Sequence, residues 1–288
     1  LPEIDDPWRM HSYTGVSRLI KMKEAPVEAI TITGFADDEA DVTNATQRTE
    51  QFNRFTFPRG PQVGIALHSL LENLDFSATD DVRTTACERC LKQVGLGDDR
   101  NKWLPVISAW LDDILSTPFG RDESLRLSDI SGHDRLNELE FHFPLNADVN
   151  FLSTLQKNGY MTSSENLSVP SLEGMMTGLI DLIIRHQDRY YLIDYKSNHL
   201  GDSKESYKAA ELKQAVAHHQ YDLQYLIYCV ALNRFLHSRL PDYEYSKHFA
   251  GVHYLFLRGM DGKTQTGVFF DKPDEGLLQT FDQALGGT

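Results

Sequence analysis

The stretch Gly178-Leu-Ile-Asp181-Leu-Ile-Ile-Arg185-His-Gln-Asp188-Arg189-Tyr-Tyr-Leu-Ile-Asp194-Tyr-Lys196 decides the fold. It holds two apolar runs, Gly178–Arg185 and Arg189–Lys196, joined by the polar His186-Gln187-Asp188. Both runs are short and rich in β-branched and aromatic residues, the composition of strands. They read as an antiparallel hairpin. With its turn centred between Gln187 and Asp188, Asp181 falls directly opposite Asp194. Cross-strand Cβ atoms stand about 4.5–5.5 Å apart. Two carboxylates at that distance, each interrupting an apolar run, cannot both stay ionised cheaply without a cation or a shared proton. A hard divalent cation such as Mg²⁺ resolves the conflict, because carboxylate oxygens suit it. Lys196 lies two residues beyond Asp194 and projects from the same strand face. An Asp-x-Lys triplet alone equally describes a surface hairpin with one salt bridge. The facing aspartate separates the two readings, provided the register holds, since a one-residue slip would turn Asp181 to the other face.

Outward from the hairpin, Glu138–Phe143 alternates strictly, with Leu139, Phe141 and Phe143 on one face and Glu138, Glu140 and His142 on the other. That is the pattern of a half-buried strand. Gly251–Leu257 reads as a further strand, and Ala209–Leu236 as one long helix. Upstream, Gln62–Leu74 places Val63, Leu67, Leu70, Leu71 and Leu74 on one helical face, and a second helix is expected over Trp103–Leu115. Residues 36–50 are polar and mostly acidic, and are expected to be a flexible connection. Helices flanking a small mixed sheet make the class α/β or α+β.

The bulk properties set limits on function. The chain has 288 residues, enough for one large core, and no apolar run near the ~18 residues of a membrane span. No leader pattern is present, so a cytoplasmic location is expected, and Leu1 in place of Met suggests a domain of a longer chain. Three cysteines argue against a disulfide framework. Cys87-Glu-Arg-Cys90 has ligand spacing, but only Cys229, inside an apolar helix, could join it, so two ordinary thiols are expected. Gly262-Lys263-Thr264 has the ending of a phosphate-binding loop, yet Leu257 stands where its first glycine belongs. The net charge of −14 opposes simple DNA binding, which normally shows a basic stripe.

Taken in order, Gly64-Ile-Ala-Leu-His68, Gly178-Leu-Ile-Asp181, Asp194-Tyr-Lys196, Gln224-x-x-x-Tyr228 and the stretch His253-Tyr-Leu-Phe-Leu-Arg-Gly259 resemble the RecB-like branch of the PD-(D/E)XK nuclease superfamily. The resemblance covers residues 57–275 well and the first 56 loosely. It implies a restriction-endonuclease-like mixed central sheet flanked by helices, with an N-terminal helical annex. It further implies an N-terminal connecting segment over 1–56 and a nuclease domain over 57–288, with a helical part at 57–120 and the catalytic sheet and helix at 138–260. Mg²⁺ would be held by His68, Asp181, Asp194 and the backbone carbonyl of Tyr195, with Lys196 as the catalytic lysine. Glu138 matches an acidic position on a neighbouring strand, and Gln224 and Tyr228 would support the site and contact DNA. The proline of the superfamily's name is absent, because Ile180 precedes Asp181.

The implied activity is Mg²⁺-dependent DNA cleavage leaving a 3′ hydroxyl and a 5′ phosphate. The substrate would be single strands delivered by a helicase motor during double-strand break repair. Implied partners are the rest of a RecB-like chain, RecC- and RecD-like subunits, and a RecA recombinase. Residue by residue, other readings stay open: His68 as a satisfied core histidine, Glu138 as the solvated face of a strand with Glu140 competing for its role, Gln224 and Tyr228 as helix-packing groups. At the level of function, the rivals are a docking domain without catalysis and a Mg²⁺ hydrolase acting on nucleotides.

Overall fold

The computed structural model describes residues 9–21, 51–120, 123–147, 151–162 and 171–287. The expected flexible connection at 36–50 lies outside them. The hairpin forms as read. Strand β3 (Leu172–His186) pairs antiparallel with β4 (Arg189–Lys196), running from His186 opposite Arg189 to Leu182 opposite Ile193. Gln187 and Asp188 both take positive φ, 48° and 57°, the two-residue turn whose twist suits a tight hairpin.

The remaining strands build a six-stranded mixed sheet on this hairpin. Strand β1 (Arg9–Ser12) runs parallel to β3 at Gly174–Thr177, and β2 (Arg135–Ala147) runs antiparallel along most of the other edge of β3. On the far side of β4 come β5 (Phe249–Phe256), parallel to it, and then β6 (Val268–Asp271), antiparallel to β5. Strand β3 therefore changes partner along one edge, from β1 as far as Thr177 to β4 from Leu182. Asp181 sits at that fork.

Helices cover both faces. One core contains Leu192, Tyr254 and Phe256 with residues of α1 (Tyr13–Lys21), α5 (Phe151–Lys157), α6 (Ala209–His219), α7 (Tyr221–Arg239) and α9 (Glu275–Ala284). The other contains Leu182, Ile193, Tyr195 and Leu255 with residues of α2 (Pro61–Glu72), α3 (Asp80–Val94) and α4 (Arg100–Ser116). The short α8 (Tyr245–His248) leads into β5. Alternation along β4 sends Leu192 to one core and Ile193 and Tyr195 to the other, which is why the strand reads as nearly continuous apolar sequence.

Three expectations change. The long helix over Ala209–Leu236 is two helices, broken at Gln220, whose φ of 60° is left-handed. No Gly or Pro marks the break in sequence. It is held by α1: Tyr13 Oη donates to the Gln220 carbonyl (3.2 Å) and Ser17 Oγ to its side-chain Oε1 (2.7 Å). Second, the strand seen in Glu138–Phe143 extends to Arg135–Ala147, and its alternation fails at Glu138, where φ is 50°. Glu140 and His142 stay on the solvent face, paired with each other at 3.2 Å, while Glu138 is half-buried. Third, residues 9–21, assigned by sequence to a connecting segment, supply a strand of the central sheet and a helix on its core. Cys87 and Cys90 lie on α3 as buried free thiols, with burial pushing them up to about 11 and about 12.

Candidate active site

At the fork, the β3–β4 ladder stops one step short of Asp181 and Asp194. The Tyr195 amide donates instead to the Asp181 carboxylate, at 2.8 Å to Oδ2. A side chain thus takes the place of a main-chain acceptor and fixes Asp181 against β4. In an extended strand the N–H and C=O of one residue project to the same side, so the Tyr195 carbonyl opens towards Asp181 as well. From the α2 side, His68 brings Nδ1 to 3.4 Å from the same Asp181 oxygen, its ring edge-on to Tyr195.

Asp194 and Lys196 face the opposite layer, as their spacing on β4 requires. Both are almost wholly buried, with side-chain exposures of 4% and 5%. Lys196 Nζ stands 2.9 Å from Asp194 Oδ2, a buried ion pair. The ammonium donates to Gln224 Oε1 at 2.9 Å. Gln224 Nε2 donates to Tyr228 Oη at 3.2 Å, one helical turn along α7. Gln224 and Tyr228 are buried, so the geometry spends both on supporting Lys196 rather than on a surface open to DNA.

The two aspartates titrate in opposite directions. Burial, reinforced by the nearby Asp181 charge and only partly opposed by Lys196, pushes Asp194 up to about 7. Burial acts on Asp181 too, but the His68 charge and hydrogen bond, the Tyr195 amide and Lys196 together outweigh it and hold that carboxyl below its ordinary range. This is the behaviour expected of two neighbouring carboxylates that share one site. Glu138 is raised by burial and by the neighbouring Glu72 and Asp181. Its left-handed backbone turns it towards these groups, which Glu140 does not approach.

Among the described residues, no group of three or more His, Cys, Asp or Glu is already arranged to hold a metal ion. Asp181 is engaged by His68 and Tyr195, and Asp194 by Lys196. The donor types fit a hard divalent ion nonetheless: the carboxylates of Asp181 and Asp194, the His68 imidazole and the Tyr195 carbonyl.

A family model of the PD-(D/E)XK nuclease superfamily matches residues 42–285. The chain belongs to the PD-(D/E)XK nuclease superfamily. Its relatives within that superfamily include the RecBCD enzyme subunit RecB of Haemophilus influenzae, 34% identical over 97% of this chain and 24% of the relative. The corresponding subunit of Escherichia coli is 34% identical over 98% of this chain and 23% of the relative. That of Mycobacterium tuberculosis is 30% identical over 98% and 29%. The chain thus spans about a quarter of the length of the curated relatives it matches. The mixed sheet with helices on both faces is the architecture that membership in the superfamily implies.

Sequence reading missed three residues that the structure brings against these candidate groups. Glu72 lies four residues after His68, one turn along the same helix face, so a signal for it existed. Tyr254, paired with Asp194 in the β4–β5 ladder, falls inside the stretch His253–Gly259 without being singled out there, and nothing local marks Tyr221, at the start of α7, for its place beside Lys196. Parallel register and a helix break are long-range outcomes.

Proposed function

We propose that this chain is the Mg²⁺-dependent DNA-cutting domain of a RecB-like helicase–nuclease that acts in double-strand break repair and recombination. One observation carries the reading. Asp194 is buried in an ion pair with Lys196, across a strand fork from an Asp181 that His68 and the Tyr195 amide hold in place. An arrangement that raises one carboxyl to about 7 costs stability, and perturbation of this kind clusters at functional sites. A docking surface without chemistry has no use for it.

In this reading His68, Asp181, Asp194 and the Tyr195 carbonyl hold the cation. When bound, it supplies Lewis-acid polarisation of a phosphoryl oxygen and a lowered pKa for a coordinated water. The protein's own residues do the rest. Lys196 holds positive charge where a phosphate gains negative charge, and it can hand over or accept a proton at Nζ. Gln224 and Tyr228 keep that ammonium from swinging out. Glu138 and Glu72 add negative charge at the rim, where a cation rather than bare DNA is favoured. The products would be ends with a 3′ hydroxyl and a 5′ phosphate.

The relatives' printed names, each a RecB subunit of a RecBCD enzyme, support partners of RecC and RecD type. A cytoplasmic setting and a motor that delivers single strands complete the proposal. A RecA recombinase is the proposed docking partner for the acidic surface. Incubation with linear and circular DNA, with Mg²⁺ or with EDTA, tests the function: Mg²⁺-dependent loss of DNA with 5′-phosphorylated products is expected. Intact DNA in Mg²⁺ with the full chain, or cleavage that survives EDTA, overturns the reading.

A further inference from the structure

Lys196 is gripped by more than its polar partners. Its ammonium lies 4.0 Å from the centroid of the Tyr221 ring and 4.9 Å from that of Tyr254. The two rings meet edge-on at 5.7 Å, making a corner. Aromatic faces attract a cation within ~6 Å of the centroid through their quadrupole, and they neither accept a proton nor compete as a carboxylate does. Tyr254 also donates its hydroxyl to Gln224 Oε1 at 2.7 Å, so the atom that receives the lysine is itself fixed from a second direction.

Each ring is positioned by a separate element. Tyr254 stands beside Asp194 in the parallel ladder, so sheet register alone sets it against the Asp194–Lys196 face. Tyr221 is the first residue after the left-handed break at Gln220, and its hydroxyl donates to Asn198 Oδ1 (3.2 Å), two residues beyond Lys196. The break is clamped by Tyr13 and Ser17 of α1. A continuous helix would carry residue 221 elsewhere on its circumference, so the break aims that ring at the lysine.

We propose that Tyr221 and Tyr254 form an aromatic corner that positions the Lys196 ammonium beside Asp194. They act as positioning residues that never touch DNA, with α1 holding the corner in place through Gln220. The proposal rests on the nuclease reading above only for its effect on rate. The corner itself is testable without cleavage.

The test uses the full chain. Tyr221→Leu and Tyr254→Leu are each expected to lower kcat for Mg²⁺-dependent DNA cleavage by roughly 10- to 100-fold, the scale of a small misplacement of a catalytic group. KM for DNA should be little changed. Tyr221→Phe, which keeps the ring face, should retain the larger part of kcat, and Tyr254→Phe, which loses the donor to Gln224, should fall between. Leu variants at wild-type kcat, or Phe and Leu variants equally impaired at either position, overturn the proposal.

The second readout is NMR of the protein labelled with ¹³C-lysine, with the Lys196 signal assigned by its loss in Lys196→Ala. Ring currents should place its ε-methylene protons upfield of those of solvated lysines, and Tyr221→Leu should move them back. An unshifted signal in the wild-type protein overturns the corner whether or not DNA is cut. Absence of cleavage by a wild-type protein that shows the shift defeats the nuclease reading instead.

Discussion

Asp181 and Asp194 differ in what surrounds them, and the difference sets what each substitution should do. Asp181 accepts from the Tyr195 amide and neighbours His68, whereas Asp194 is ion-paired with Lys196. Asp181→Ala and Asp194→Ala should each abolish Mg²⁺-dependent cleavage and weaken cation binding measured by calorimetry, with the fold intact by circular dichroism. Near-wild-type cleavage by either would displace the site. Lys196→Ala should lose cleavage but keep the cation, because the ammonium offers no lone pair. A matching loss of cation binding would mark the lysine as structural. His68→Ala should weaken the cation less than either aspartate change, since neutral imidazole is a poorer partner for Mg²⁺ than carboxylate. The approach of Asp181 to Asp194 was legible in sequence because strand periodicity and a two-residue turn set the register as far as Leu182 and Ile193, one step short of the two aspartates. The choice of Glu138 over Glu140 was not, because it depends on one left-handed residue inside a strand.

At the scale of elements, Arg258 ties the site's two walls together. Its guanidinium is 1% exposed and donates to the carbonyls of Ser197, Phe57 and Pro58, with a further bond to that of Arg54. Ser197 follows Lys196, and residues 54–58 lead into the helix that carries His68. Arg258→Met would leave buried carbonyls without donors, each costing about 1–3 kcal/mol. A loss of about 3 kcal/mol or more is therefore expected in urea unfolding, read as a lower midpoint at unchanged slope. Arg258→Lys should recover only part of it, because one ammonium cannot reproduce the guanidinium fork. A variant Met protein as stable as wild type would show that the staple is idle. Most helices and strands were readable from periodicity, yet the break at Gln220 was not. Local propensity favours continuing that helix, and the contacts that stop it come from α1, some 200 residues away in sequence.

Across the whole molecule two consequences follow, one from burial and one from charge. His253 lies in the layer between Phe119, Tyr191 and Phe270, and neither ring nitrogen has a hydrogen-bond partner among the described residues. Burial pushes its imidazole down to about 3 from 6.5. Below pH 6.5 the unfolded chain binds a proton that the folded protein refuses until about pH 3. Stability is therefore fully present above 6.5 and is lost as pH falls through that window, at up to about 1.4 kcal/mol per pH unit. By pH 5 the loss from this residue should be about 2 kcal/mol. His253→Phe should flatten the fall between pH 7 and pH 5 in denaturation curves. Parallel curves for the two proteins would assign the acid loss to other groups.

The charge of −14 opposes long-range capture of DNA, within a screening length of about 8–10 Å at ordinary salt. This chain alone should bind DNA weakly and with a shallow salt slope. Linkage to a DNA-bound motor would raise the effective DNA concentration to roughly millimolar without new contacts. Binding titrations over a salt series, with and without the motor-bearing chain, check this, and tight binding by the chain alone with a steep slope would overturn it.

Local rules were enough to determine the hairpin, its register from His186–Arg189 to Leu182–Ile193, and the lysine on the same strand face as Asp194. A two-residue turn and a period of two leave a strand few alternatives. The tertiary structure alone decided how those residues are used. It set Tyr254 beside Asp194 through a parallel pairing, and it broke a helix at Gln220 so that Tyr221 faces the lysine. It also drew β1 and α1 into the catalytic sheet and core. Each of these depends on contacts between segments far apart in the chain, where the energy lies in packing and long-range hydrogen bonds, and no local pattern of residues encodes it.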